Sequence, residues 1–393
     1  MAASKTPSSP ALGPVTAGIP KRFRTSLAKP GVTATATPPP PGFAFQLKPV
    51  EIARHLDRFV IGQAEAKKVL SVALCDHFQH VRLTQAGQPA PFYQKQNVLL
   101  LGPTGVGKTH LIRSAAELIG VPFVKADATK FSETGYVGGD VDDLVRDLVR
   151  RAGGDLKQAA HGIIYLDEVD KLATRGESGG RDVSGRGVQT NLLKLMEDGE
   201  VPLVSPNDMT GQLQSAMAAM RGANALQPDT INTRHILFIV SGAFSGLLEQ
   251  MRARQSVGRK SVAALADATT ADLIAYGLEP EFIGRLPVRV ACHGLSEVDL
   301  FRVLRDSESS LLRQYERAFQ AYGIRCEFRD DGLRALAALA AREQTGARGL
   351  MTICERVFRD FKYRLPSSRV KRFHVNARLV AEPAAELRRL LRR

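Results

Sequence analysis

The apolar residues in the first part of this chain form two kinds of pattern. Short apolar runs have the length of buried strands and lie at residues 97–101, 122–125, 163–166 and 235–240. Between and before them, apolar residues recur at helical spacing, which predicts helices at 64–78, 109–119, 141–149 and 187–198. Strands that alternate with helices favour a parallel sheet covered on both faces. The pattern therefore predicts an α/β fold.

After residue 295 the pattern is helical only. Its apolar positions are Leu300, Val303 and Leu304, then Leu333, Leu336 and Leu339, then Leu350, Ile353, Val357 and Phe361. We predict a small, mainly helical C-terminal domain that joins the α/β domain near residues 287–295. The predicted domains cover residues 46–292 and 293–393.

Residues 1–45 differ from both domains in composition. They are rich in Pro, Ala, Thr and Ser and carry basic but no acidic residues, which is typical of a disordered basic tail. Over all 393 residues the formal net charge is +14. Such a charge is compatible with nucleic-acid binding, but it is spread along the chain and does not by itself define a substrate.

The cysteines give little sign of metal or disulfide chemistry. They lie far apart, at Cys75, Cys292, Cys326 and Cys354, with no C-x-x-C pair. Reduced, buried thiols in a cytoplasmic protein are the simplest interpretation, without zinc. No apolar run approaches the ~18–20 residues of a membrane span, so we expect no membrane insertion.

A phosphate-binding loop is the strongest chemical signal of the chain. Residues 102–109 read Gly102-Pro103-Thr104-Gly105-Val106-Gly107-Lys108-Thr109 and fit the pattern G-x-x-x-x-G-K-[ST]. The loop follows a predicted strand and opens a predicted helix, as the motif requires. We expect Lys108 to bind the β- and γ-phosphates and the Thr109 hydroxyl to bind Mg²⁺. The motif predicts binding of ATP or another nucleoside triphosphate.

Two adjacent carboxylates supply the groups that hydrolysis needs. Asp167 and Glu168 end the apolar run at 163–166. Neighbouring strand residues point to opposite faces, but a turn at the strand end lets both side chains approach the nucleotide. Asp167 is expected to hold Mg²⁺ with its water shell, and Glu168 to orient and deprotonate the attacking water. The pair predicts a hydrolase.

Several motifs together resemble those of AAA+ ATPases, and specifically of ClpX-type protein unfoldases. Besides the phosphate loop they are Val60-Ile61-Gly62-Gln63, Gly135-Tyr136-Val137-Gly138, Tyr165-Leu166-Asp167-Glu168-Val169-Asp170-Lys171, Arg181-Asp182-Val183-Ser184-Gly185, Pro280-Glu281-Phe282-Ile283-Gly284-Arg285-Leu286-Pro287 and Gly346-Ala347-Arg348-Gly349-Leu350. The resemblance implies a P-loop domain with a parallel five-stranded sheet, followed by a small helical lid domain. It also implies a homohexameric ring with ATP between the two domains.

The resemblance assigns roles to further residues. Arg285 resembles the arginine finger that reaches the γ-phosphate of a neighbouring subunit, and Arg348 resembles the sensor-2 arginine. Val60 and Ile61 resemble the pair that contacts adenine. Ser241, at the end of the fourth predicted strand, is a weaker candidate for the sensor-1 position.

The loop with Tyr136 and Val137 indicates what the motor acts on. Glycines flank an aromatic and an aliphatic side chain, and in the ClpX family this loop lines the axial pore and pulls polypeptide. Residues 181–185 resemble part of the second pore loop or its base. The resemblance therefore implies protein substrates.

The chain also departs from the family pattern. Residues 1–45 hold no cysteine for the usual zinc domain, and residues 204–233 lack the Arg-Lys-His pore-entrance tripeptide. Near residues 251–262, where the family has an Ile-Gly-Phe docking loop, the chain reads Arg254-Gln255-Ser256-Val257-Gly258-Arg259-Lys260-Ser261. These departures argue against the usual degradation tags and the usual peptidase as partners.

We interpret the chain as an ATP-driven unfoldase or remodelling chaperone. One alternative is an AAA+ motor that grips DNA or RNA with its basic tails and the basic loop at 252–260. Another is an ATP-switched scaffold that barely turns over, against which Glu168 and Arg285 argue.

Overall fold

The computed structural model describes residues 44–90, 92–132, 139–173, 183–204, 230–255 and 264–392 of the chain. Several predicted features lie outside these residues. They are the tail before residue 44, the loop with Tyr136 and Val137, Arg181 and Asp182, and most of the segments 204–233 and 251–262.

The strands of the described residues form one large sheet and two small ones. Their bounds are β1 (Val98–Leu101), β2 (Phe123–Asp127), β3 (Ile163–Asp167), β4 (Glu200–Pro202), β5 (Thr230–Asn232), β6 (Leu237–Gly242), β7 (Val288–Ala291), β8 (Arg325–Phe328) and β9 (Arg372–Val375). Five strands pair in parallel in the order β2-β3-β6-β1-β7. The α/β fold with a parallel five-stranded sheet is therefore confirmed, and four of its strands coincide with the apolar runs of the sequence.

The helices cover both faces of the large sheet and make up most of the C-terminal part. They are α1 (Pro49–Phe59), α2 (Ala64–Gln85), α3 (Lys108–Ile119), α4 (Asp143–Arg151), α5 (Leu156–Ala159), α6 (Val183–Met196), α7 (Ser245–Gln255), α8 (Thr270–Tyr276), α9 (Pro280–Gly284), α10 (Glu297–Arg305), α11 (Leu312–Gln320), α12 (Asp330–Arg342), α13 (Ala347–Arg364), α14 (Ala377–Ala381) and α15 (Pro383–Leu391). Within the described ranges, none of them combines the length and apolar character needed to cross a membrane.

The two faces of the sheet belong to two separate cores. On β1, Val98 and Leu100 pack in the core that includes α1, α2 and α3, whereas Leu99 and Leu101 pack in the core on the opposite face. Successive strand residues point to opposite faces, so a strand covered on both sides is apolar at every position. This explains why β1 reads as a continuous apolar run.

The C-terminal part has a third core, built from α10 to α15. It is mainly helical, as predicted, but it also contains the parallel pair β8 and β9. Leu295 packs against this core and against the core under α1 to α3. The domain division at residues 292 and 293 stays a prediction.

The strand order decides which residues meet at the carboxyl edge of the sheet. The phosphate loop follows β1, and Asp167 ends β3, but β6 lies between these two strands. Parallel strands end at the same edge, where open α/β sheets bind their ligands. The end of β6 therefore brings Ser241 between the loop and the carboxylate.

All four cysteines are buried, and none of them forms a disulfide. Burial raises the pKa of Cys75 and that of Cys292 to about 11. These two thiols are therefore protonated at neutral pH.

Candidate functional site

The phosphate loop connects β1 to α3 and encloses its own lysine. Lys108 is the first residue of α3 and is only 9% exposed. Its Nζ donates hydrogen bonds to the carbonyl oxygens of Gly102, at 2.5 Å, and Pro103, at 3.0 Å. Burial lowers the pKa of Lys108, against the opposing effect of the nearby Asp167 carboxylate. The loop thus holds an ammonium group at its centre.

Two oxygen atoms that could bind a metal ion, Thr109 Oγ1 and Asp167 Oδ2, lie close together beside this lysine. Thr109 Oγ1 lies 3.4 Å from both Asp167 Oδ2 and the Tyr165 hydroxyl, and its single proton can be donated to either oxygen. Thr109 comes from α3, whereas Asp167 comes from the end of β3. Hydroxyl and carboxylate oxygens are the ligands that Mg²⁺ prefers.

A short hydrogen-bond chain fixes the Asp167 carboxylate. Ser241 Oγ donates to Asp167 Oδ1 at 2.6 Å, and the Tyr165 hydroxyl lies 2.7 Å from Ser241 Oγ. Burial on its own would raise the pKa of Asp167, but the Ser241 hydrogen bond and the charges of Lys125 and Lys108 lower it below its ordinary value. Asp167 is therefore ionised at neutral pH. In the sequence analysis Ser241 is only a weaker candidate, and neither Tyr165 nor Lys125 is assigned a role at the site.

Glu168 lies where the chain leaves β3 and turns. Its backbone has φ 61°, in the left-handed region that is uncommon for a residue other than glycine. Its backbone N–H donates to Asp167 Oδ1 at 3.1 Å, and its side chain is exposed. Because of the turn, Asp167 and Glu168 both line the same cavity, as the sequence predicts.

This cavity has a volume of about 840 Å³ and is shared by the two parts of the chain. The α/β part contributes Lys108, Thr109 and the two carboxylates, and α13 contributes Arg348. The Ala347 N–H, at the start of α13, donates to the Gly105 carbonyl oxygen at 2.8 Å. A ligand in the cavity would therefore contact both parts of the chain at once.

Other predicted residues lie around this cavity without lining it. Val60 and Ile61 are buried, and Val60 packs in the same core as Val106 of the loop. A Cβ on Gly107 would lie 3.5 Å from Val60 Cγ1. The adenine-contacting role of Val60 and Ile61 stays a prediction.

Arg285 also lies away from the cavity of its own chain. It follows α9, its side chain is 51% exposed, and its guanidinium forms an ion pair with Glu197 Oε1 at 2.5 Å. Its carbonyl oxygen accepts a hydrogen bond from the side chain of Asn97 at 3.1 Å. Arg348 thus lines the cavity, whereas Arg285 does not.

The fold and the cavity together define the class of the protein. A five-stranded parallel sheet carries a phosphate loop after β1 and two carboxylates at the end of β3, and a helix of the C-terminal part adds an arginine. The family model of the AAA domain (Cdc48 subfamily) matches residues 93–289. The chain is an AAA+ ATPase and binds nucleotide.

Similarity to curated proteins narrows this class. The chain is 40% identical over 334 residues to the ATP-dependent Clp protease ATP-binding subunit ClpX of Borrelia duttonii (strain Ly) and to that of Borrelia recurrentis (strain A1), which covers 82% of this chain and 75% of each relative. It is 38% identical over 344 residues to ClpX 3 of Methylococcus capsulatus (strain ATCC 33009 / NCIMB 11132 / Bath), which covers 81% of this chain and 77% of the relative. The chain belongs to the ClpX family.

Proposed function

We propose that this protein is an ATP-dependent protein unfoldase or remodelling chaperone that threads polypeptide through the pore of a homohexameric ring. The observation that carries the proposal is the shared cavity. Lys108, Asp167 and Glu168 lie on one side of it, and Arg348 of α13 lies on the other. A nucleotide held there would report its state to both parts of the chain, which is how hydrolysis can drive movement.

The hydrolytic roles follow from the chemistry of the cavity. Lys108 would bind the β- and γ-phosphates, and the exposed carboxylate of Glu168 would orient the attacking water and accept its proton. Thr109 Oγ1 and Asp167 Oδ2, 3.4 Å apart, suit Mg²⁺, since both are hard oxygen donors and Asp167 is ionised. When bound with ATP, Mg²⁺ supplies partial neutralisation of the phosphate charge.

The position of Arg285 is an argument for a ring in which neighbouring subunits share nucleotide sites. Its half-exposed guanidinium pairs with Glu197 and does not line the cavity of its own chain. A finger role therefore requires the nucleotide of a neighbouring subunit, where the guanidinium would stabilise the charge of the transition state.

The gripping of substrate by Tyr136 and Val137 rests on the sequence alone. The relatives are named as ATP-binding subunits of the Clp protease, which favours protein substrates for this chain. A peptidase partner has less support, because the basic sequence at 254–261 offers no aromatic anchor. A cytoplasmic location is part of the proposal.

The test compares the wild type with Tyr136→Ala, without a peptidase, for ATP turnover and for ATP-driven unfolding of a tagged fluorescent protein. We expect Tyr136→Ala to keep its ATPase rate and lose unfolding. Tyr322→Ala is the matched control, because Tyr322 is 63% exposed in the C-terminal part, and it should unfold substrate like the wild type. Equal unfolding by Tyr136→Ala would contradict the gripping role.

A nucleic-acid motor is the second candidate function. Arg388, Arg389 and Arg392 line one surface pocket at α15, and the net charge of the chain is +14. If neither the wild type nor Tyr322→Ala unfolds protein, but DNA or RNA stimulates turnover in a salt-sensitive way, this second function is favoured.

A further inference from the structure

Lys125 reaches the nucleotide cavity from the edge strand of the large sheet. It is the third residue of β2, and its strand neighbour in β3 is Tyr165. Its Nζ donates to Thr109 Oγ1 at 3.2 Å and lies 3.4 Å from Asp167 Oδ2. A lysine on an edge strand is usually solvated. The side chain of Lys125 is 36% exposed, and its ammonium contacts two oxygen atoms that face the nucleotide cavity.

These two oxygen atoms are the ones that the proposed function assigns to Mg²⁺. Lys108, the other lysine close to Asp167, directs its Nζ to the carbonyl oxygens of Gly102 and Pro103. Within the described residues, Lys125 is the cation that forms an ion pair with Asp167. Lys125 and a divalent cation would compete for the same oxygen atoms, because two cations at contact distance from one carboxylate also repel each other.

We propose that Lys125 is a built-in alternative to Mg²⁺ in the nucleotide site. Its ammonium holds Thr109 and Asp167 when no metal is bound, and it lies close enough to the phosphate loop to neutralise phosphate charge there. Nucleotide binding would then depend only weakly on Mg²⁺, and Mg²⁺ would have to displace Lys125 from Asp167. This inference rests on the proposed nucleotide chemistry and adds a specificity-determining residue to it.

The experiment measures the Kd of a fluorescent ADP analogue in excess EDTA and in excess Mg²⁺. For the wild type we expect the two Kd values to differ by about threefold or less, since Lys125 replaces part of the metal's charge. For Lys125→Met we expect the Kd in EDTA to be about tenfold higher than that of the wild type. In Mg²⁺ its Kd should be no higher than that of the wild type. The Mg²⁺ concentration that gives half of the change in nucleotide Kd should be lower for Lys125→Met than for the wild type, because the competing cation is gone.

Two further variants make the result specific. Lys130 has an exposed side chain and does not line the cavity, so Lys130→Met removes a lysine charge without removing the contact to Asp167. It should behave like the wild type. Lys125→Arg keeps the positive charge and should restore binding in EDTA. Circular dichroism checks that every variant is folded.

The outcomes separate this inference from the proposed function. If wild type and Lys125→Met show the same ratio of Kd values in EDTA and Mg²⁺, or if Lys130→Met loses binding in EDTA as strongly as Lys125→Met, Lys125 is not an alternative to Mg²⁺. Nucleotide binding itself would stand in both cases. If the wild type fails to bind the analogue under either condition, the proposed nucleotide chemistry is wrong, and the inference about Lys125 fails with it.

Discussion

Gly105 of the phosphate loop and Gly346, which precedes α13, lie with their backbones in direct contact. A Cβ on Gly346 would lie only 2.7 Å from the Gly105 carbonyl oxygen. Gly346 has φ 61° and ψ −142°, a conformation that glycine adopts far more readily than other residues. The loop that would hold phosphate and the helix that carries Arg348 can therefore approach each other only because both positions lack a side chain.

Gly346→Ala should weaken nucleotide binding as well as stability. The added Cβ forces the loop and α13 apart, and we expect a loss of about 1–3 kcal/mol in the free energy of unfolding. We also expect a nucleotide Kd at least about tenfold higher, since the cavity between them is distorted. Thermal melting and titration with a fluorescent nucleotide measure the two effects.

Gly323→Ala is the matched control for this variant. Gly323 also has positive φ, at 70°, but an added Cβ would meet nothing within 4 Å. It should lower stability through backbone strain and leave the nucleotide Kd unchanged. A similar Kd for both variants would mean that the contact between Gly105 and Gly346 does not matter for binding.

Lys108→Ala should abolish nucleotide binding. The side chain is buried at the centre of the loop, and its removal takes away the ammonium that would face the phosphates. Titration with a fluorescent ATP analogue measures the loss, with Lys68→Ala on an exposed turn of α2 as the control. Normal affinity in Lys108→Ala would refute the assignment of the loop.

Glu168→Gln should bind ATP but hydrolyse it at least about 100-fold more slowly. The amide keeps the size of the side chain but cannot accept the proton of the attacking water. Steady-state phosphate release gives the rate, and nucleotide titration shows that binding is retained. Glu65→Gln removes an exposed carboxylate from α2 and should leave both unchanged. Undiminished turnover in Glu168→Gln would remove Glu168 from its proposed role.

Arg285→Ala should assemble normally and hydrolyse ATP at least about 100-fold more slowly, because a finger acts only in the transition state. Mixed with wild type, it should lower activity more than in proportion to its share, since each subunit would serve its neighbour. Size-exclusion chromatography and phosphate release at several mixing ratios measure both effects. Full activity would mean that the finger is another residue.

Acid should destabilise the protein through His77. Burial lowers the pKa of His77 to about 3, with further lowering from Lys95 and His80 and an opposing hydrogen bond to the His235 carbonyl oxygen. In the unfolded chain the pKa is near 6.5. Between pH 6.5 and 3 the unfolded state therefore binds more protons, and stability falls as the pH falls through this window. Between pH 7 and pH 5.5, protonation of His77 in the unfolded chain lowers the free energy of unfolding by about 1 kcal/mol.

Melting temperatures of wild type and His77→Gln at several pH values test this expectation. Glutamine can still donate to the His235 carbonyl oxygen but does not titrate in this range, so its melting temperature should fall less steeply. His293→Gln, at an exposed position, should follow the wild type. Parallel curves for wild type and His77→Gln would contradict the role of His77.

Local patterns were sufficient for part of this structure. The phosphate loop and the turn after Asp167 are contiguous motifs next to apolar strands, so their place could be predicted. β7, β8 and β9 are only four residues long and have no clear apolar run, and only the family resemblance implied a fifth strand in the large sheet.

Contacts across the sheet could not be predicted in this way. The hydrogen bond from Ser241 to Asp167 depends on β6 lying next to β3. No local sequence pattern predicts the order of the strands. Lys125 reads as an ordinary strand residue until β2 is placed beside β3. The contact of Gly105 with Gly346 likewise joins residues that are far apart in the chain.

The positions of α3 and α13 have a consequence for the electrostatics of the cavity. α3 begins at Lys108 and α13 at Ala347, and both of these first residues line the cavity. The amino-terminal end of a helix carries roughly half a positive charge from its aligned peptide dipoles. Two such ends converge here, and their charge neither titrates nor disappears when a side chain is replaced. Part of the positive potential of this cavity is therefore a permanent property of the backbone.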